Sequence, residues 1–200
     1  MTHLKLLSVV LFASLAGAMG TAPSTSAEDN AAFLRLHAFA VDMSGSGRTR
    51  AGALEIAIER WSTDEERTRL RAILIERGAD ALLSALQKVK PRAGYIRTSS
   101  TPGWDIYYAR EEPVGDGGRR VIIATDRPMS FWELRNQPRS VEYDFTLAEL
   151  RLSKDGKGEG KLATAAKISW NPRTSTIEIE NYGIEPVRLT AVRVEGSRSK

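Results

Sequence analysis

The 200-residue chain is 42% hydrophobic and 27% charged, proportions that suit a packed domain and exclude wholesale disorder. Its 29 basic and 25 acidic residues are interspersed and leave a net charge of +4, so no run of Lys and Arg forms a nucleic-acid arm. There is no cysteine, which excludes disulfides, thiol catalysis, zinc–thiolate sites and a lipid-modified N-terminal Cys.

Residues 1–27 read as a secretory signal peptide. Lys5 precedes the apolar run Leu6 to Met19, which is too short to span a membrane stably. Small residues follow at Ala18-Met19-Gly20 and Thr25-Ser26-Ala27, so cleavage is expected between 20 and 27. The mature protein is then periplasmic or extracellular, with no transmembrane segment left.

Phe33 to Val41 is a strand, and the Gly- and Ser-rich Met43 to Arg50 is a turn. From Ala53 to Trp61 apolar residues alternate, with Leu54, Ile56 and Ile58 on one side and Glu55 and Glu59 on the other. Ser62 then opens S-x-x-E with Glu65, which predicts Ser62 as the N-cap of a helix. Leu70, Ile73 and Leu74 follow helical spacing, and Gly78 stops it. Asp80 is placed to cap a second helix, Ala81 to Val89, which Pro91 ends. The pair forms a helical hairpin whose apolar stripes should lie on the sheet or plug one end of it.

Strand signals return at Gly94–Arg97, Trp104–Arg110 and Arg119–Thr125, the last being the most continuously apolar. Ser130 to Arg135 fits a helical turn. Between Val141 and Leu152 the apolar phase changes, which implies a bulge or a sharp bend near Ala148. Lys161–Trp170, Thr176–Tyr182 and Val187–Glu195 complete the strands. The fold class is mainly β (α+β): an antiparallel barrel or sandwich of about eight strands, with the hairpin inserted after the second. A single domain spans 30–195 and includes the helical hairpin 62–90; 196–200 is a disordered tail.

Chemistry is sparse. His37 is the only histidine past the leader, and nothing in its spacing pairs it with a nucleophile. Without cysteine, and with one histidine, no metal or other cofactor is expected. Asp155 and Glu159 flank Lys157 in a hairpin turn and lack the calcium-loop pattern. Glu111 and Glu112 point to opposite faces of a strand. The aromatics Trp104, Tyr107, Tyr108, Phe131, Trp132, Tyr143 and Phe145 suit either a core or a ligand-lined barrel mouth. Asp126-Arg127, at the end of the most apolar strand, is a charged pair placed to face such a mouth. The candidate ligand-binding residues are Asp126, Arg127, Trp132 and Tyr108.

The stretches G-A-L-E-I-A-I-E-R-W-S-T-D-E-E-R, V-I-I-A-T-D-R-P, F-T-L-A-E-L-R-L, G-K-G-E-G-K-L and I-E-I-E-N-Y resemble a family of small exported bacterial proteins of unknown function. The resemblance covers Phe33 to Val194 and implies export and a single domain, with no activity or site to carry over. The expected function is non-catalytic: binding a small apolar or aromatic ligand, or a protein partner, in the cell envelope. The alternatives are a hydrolase-type enzyme using carboxylate acid/base chemistry and a structural envelope protein without a ligand. A hollow interior lined by ionisable groups would favour the enzyme, a dry apolar cavity the binder, and a filled interior the structural protein.

Overall fold

The computed structural model describes residues 34–43, 49–99, 101–129, 143–181 and 185–195. The expected leader, the turn at 130–135, the tail at 196–200 and Trp132 lie outside the described residues. Among the described residues, nine strands and two α-helices follow in chain order. β1 (Leu34–Asp42) and β2 (Arg50–Ile58) lead into α1 (Asp64–Arg77) and α2 (Ala79–Leu86). β3 (Gly94–Thr98), β4 (Trp104–Pro113), β5 (Arg119–Thr125) and β6 (Phe145–Leu152) come next. β7 (Lys157–Asn171), β8 (Thr176–Asn181) and β9 (Val187–Val194) end the fold.

All pairings are antiparallel in the order β6-β5-β4-β3-β2-β1-β9-β7-β8, and β6 also pairs with β7. That extra pairing closes an eight-stranded barrel and leaves β8 as an additional strand. The alternation in β1 and β2 explains the wall. Leu36, Ile56 and Ile96 are opposite one another across β1, β2 and β3, and all three are fully buried. β7 is the longest strand because it serves three neighbours. β6 pairs with residues from Gly158 to Ala166, β9 with residues from Lys157 to Leu162, and β8 with Ala166 to Asn171. The far half of β7 and β8 therefore run past the barrel as a two-stranded ribbon.

Two bulges set which side chains face inward. In β4 the register shifts between Ile106 and Tyr108, so Ile106 and Ala109, three apart, are both buried in the interior. In β9 Ala191 takes a left-handed φ of 50°, and Leu189 and Val192 likewise both point inward. The bulge expected near Ala148 is absent from that position. β6 pairs with β5 without a break from Leu147 to Leu152, and the extra residue is opposite, in β7. β6 is apolar on both faces because each covers a different core: Ala148, Leu150 and Leu152 line the interior, whereas Phe145 and Leu147 lie under the helical hairpin.

The hairpin packs on the outside of the barrel. Leu70 and Leu74 of α1 and Leu82 and Leu86 of α2 meet Phe145, Ala163, Ala166 and Ile168 in a second core. Burying each leucine contributes about 1.5–3 kcal/mol. Both helix starts differ from expectation. Thr63, not Ser62, is the N-cap: its Oγ1 accepts from Glu66 N at 3.1 Å and Glu66 Oε2 accepts from Thr63 N at 3.1 Å. Ser62 is occupied elsewhere. β3 pairs with β4 only as far as Ile106, so Ala109 has no strand partner on that edge. Ser62 supplies one, donating its N–H to the Ala109 carbonyl at 2.7 Å and accepting from Ala109 N on its Oγ at 3.2 Å. Asp80 is not a cap either. Gly78, at φ 79°, ends α1 and begins α2 directly, which places Asp80 inside the first turn.

Candidate functional site

The interior of the barrel is lined by packed aliphatic side chains. Leu36, Ile56, Ile58, Ile96, Ile106, Val121, Ile123, Leu150, Leu162, Leu189 and Val192 are all fully buried within it. One end is stoppered by the chain that leaves β5. Thr125 Oγ1 donates to the Arg127 carbonyl at 2.7 Å and accepts from Thr146 N at 3.2 Å. Met129 N donates to the Thr164 carbonyl at 2.8 Å and to Thr146 Oγ1 at 2.9 Å, and the Met129 side chain is fully buried among the interior residues. Buried hydroxyls thus satisfy the backbone of a loop that turns inward.

Asp126 and Arg127 lie on the shoulders of this stopper. Burial raises the Asp126 carboxyl above the ordinary range, opposed by its own backbone N–H, by Arg127 and by a hydrogen bond from Gln87 at the end of α2. Arg127 is exposed and donates to the Gly103 carbonyl at 3.2 Å. Tyr108 packs in the second core, beneath the hairpin, where burial raises its phenol and Arg110 and Arg67 lower it. The tyrosine beside Asp126 is Tyr107, whose phenol is raised by burial and then by Asp126 and Asp105. The β4 bulge turns both tyrosines to the outside, and the sequence signal for it was the three-residue spacing of Ile106 and Ala109.

Residues missed by the sequence form an open groove on the outer wall of β1, β2, β3 and β9, with a volume of about 700 Å³. Glu55 anchors one side. It accepts from Arg35 at 2.6 Å, from Tyr95 Oη at 3.1 Å and from Arg97 at 2.8 and 3.0 Å. Burial would raise its carboxyl, but the Arg97 and Tyr95 bonds and the charges of Arg97 and Arg35 outweigh that and hold it below its ordinary value. Arg35 also pairs with Glu195 at 2.8 Å, and Arg92 and Arg97 lie over the Tyr95 ring. The opposite side is unsatisfied. His37 stands across from Arg193 in the β1–β9 register, and neither side chain has a hydrogen bond or ion pair among the described residues. Phe39, beside them, is 52% exposed.

The carboxylates near the groove and on the neighbouring strands are held by basic or hydroxyl partners. The nearest carboxylate to His37 in register is Glu55, whose oxygens are held by Arg35, Tyr95 and Arg97. Glu111 pairs with Arg119 at 3.2 Å and Glu112 with Arg120, one on each face of the strand. Asp155 accepts from Ser153 Oγ and pairs with Lys157 at 3.3 Å, closing the hairpin turn. Among the described residues, no three metal-ligating side chains are grouped to hold an ion, and no helix is long and apolar enough to cross a membrane. Compared with family models, with curated proteins and with solved structures, the chain matches none.

Proposed function

We propose that this is an exported, non-catalytic barrel that binds a protein partner in the cell envelope on its outer wall, at the groove of His37, Phe39 and Arg193. The observation that carries the reading is the exposed Phe39 on the β1–β9 pair beside Arg193, which has no hydrogen bond or ion pair among the described residues. Aromatic and arginine side chains are the types that anchor protein interfaces. The inward side chains of the described strands form one aliphatic cluster, which favours a site on the outer wall over one for a small apolar ligand inside. The carboxylates that acid/base chemistry would use, Glu55, Glu111 and Glu112, each answer an arginine. Export rests on the pattern of the first 27 residues.

A photo-crosslinking amino acid in place of Phe39 tests the proposal in the producing cells. We expect one discrete protein adduct that is absent when the probe replaces Glu159 and that disappears with Arg193→Glu. No adduct at position 39, or equal adducts at both positions, overturns the reading.

A further inference from the structure

The ribbon beyond the barrel is half covered. Ile168 and Trp170 of β7 lie opposite Ile179 and Ile177 of β8, so the four share one face. The hairpin covers the β7 half: Ile168 is only 7% exposed, and Arg71 of α1 lies over the Trp170 ring. The β8 half stays open, with Ile177 44% and Ile179 59% exposed. The other face of β8 carries Glu178 and Glu180. Glu178 accepts from Asn171 Nδ2 and Glu180 from Tyr143 Oη, both at 2.6 Å; across the ribbon Ser169 stands opposite Glu178 and Lys167 opposite Glu180. Among the described residues, no strand pairs with the outer edge of β8. β1 pairs with β9 and goes no further, so among the described residues β8 has β7 as its only strand neighbour.

We propose that β8 is a docking edge for an extended segment of another protein in which apolar residues alternate with Lys or Arg. A strand added there makes main-chain hydrogen bonds to that edge. Its apolar side chains cover Ile177 and Ile179 and extend the sheet face that the hairpin begins to cover. Its basic side chains, pointing the other way, meet Glu178 and Glu180. The same charges disfavour a second copy of this chain, because antiparallel β8–β8 pairing centred on Ile179 sets Glu178 against Glu180. This surface shares no residue with the groove on β1 and β2.

The test uses the purified protein and a short synthetic peptide of alternating valine and lysine, followed by amide chemical shifts and hydrogen exchange. We expect saturable binding, with shifts confined to β8 and the far half of β7 and new protection of β8 amides. The double change Glu178→Lys with Glu180→Lys should weaken binding about tenfold or more while the unfolding midpoint stays near that of the parent. The backbone-methylated peptide should fail to bind. Phe39→Ala should leave the affinity unchanged, which separates this proposal from the one above. Equal binding of a peptide with glutamate for lysine, or of one with its lysines and valines in separate blocks, overturns the inference. So does concentration-dependent self-association that protects β8 without peptide.

Discussion

Ser62 and Thr63, adjacent in the chain, hold two different structures together. The string S-T-D-E-E-R contains overlapping boxes, Ser62 with Glu65 and Thr63 with Glu66. Local chemistry allows either, and the choice is made by Ala109, whose N–H needs the serine oxygen. Arg60 favours the same outcome by holding Glu66 at 2.9 Å. The cap was therefore legible as a region and illegible as a residue, because the deciding group is on a distant strand. Thr63→Ala should cost about 1 kcal/mol, the usual loss of a cap. Ser62→Ala should cost about 1–3 kcal/mol, since it strands a buried donor. Hydrogen exchange distinguishes the two: the first should speed exchange at Glu66, the second at Ala109. If Ser62→Ala frays the start of α1 and leaves Ala109 protected, the assignment of roles is reversed. The same limit applied to the site. The bulge turns both Tyr107 and Tyr108 against the outer core, and Tyr107, not the expected Tyr108, shares surroundings with Asp126.

At the scale of elements, the helical hairpin and the barrel have separate cores, and each was visible in the sequence through its own period. The stripe of Leu70 and Leu74 and that of Leu82 and Leu86 are buried as spaced. What spacing could not convey was the surface they cover. A strand buried on both faces has no clean alternation, so β6 read as a strand with a break. Leu74→Ala should cost about 2–5 kcal/mol of local stability. Because Leu74 touches only the outer core, the loss should show first as faster exchange of α1 and α2 amides, with β2 and β4 still protected. Equal loss of protection in β2 would mean that hairpin and barrel unfold as one unit.

For the whole molecule, inward residues were legible from their period of two, but closure was not. Nothing local in β6 and β7 distinguishes a sandwich from a barrel, and the Met129 stopper lies in a loop that carries no periodic signal. Ile56, fully buried between Leu36 and Ile96, belongs to the interior that holds every strand of the barrel. Ile56→Ala should cost about 2–5 kcal/mol and lower the denaturant midpoint of strand and helix signals together. A milder loss than for Ser62→Ala with Thr63→Ala would show that the interior is not what holds the fold. β9 is the piece that completes the wall. It pairs with β1 on one side and β7 on the other, and Glu195 N bonds back to the Arg35 carbonyl at 2.9 Å. The first strand made is thus paired on its second side by the last. A chain emerging N-terminus first keeps β1 and β7 as raw edges until Val187 to Val194 arrive, and the β1–β9 pairing spans the longest stretch of chain of any strand pair described, with the greatest loop-closure cost. Premature termination before Val187 would yield an open sheet with two sticky margins, prone to clump with its own kind. The last strand is a latch, and the interval before it shuts is when the protein most needs to be kept apart from its copies.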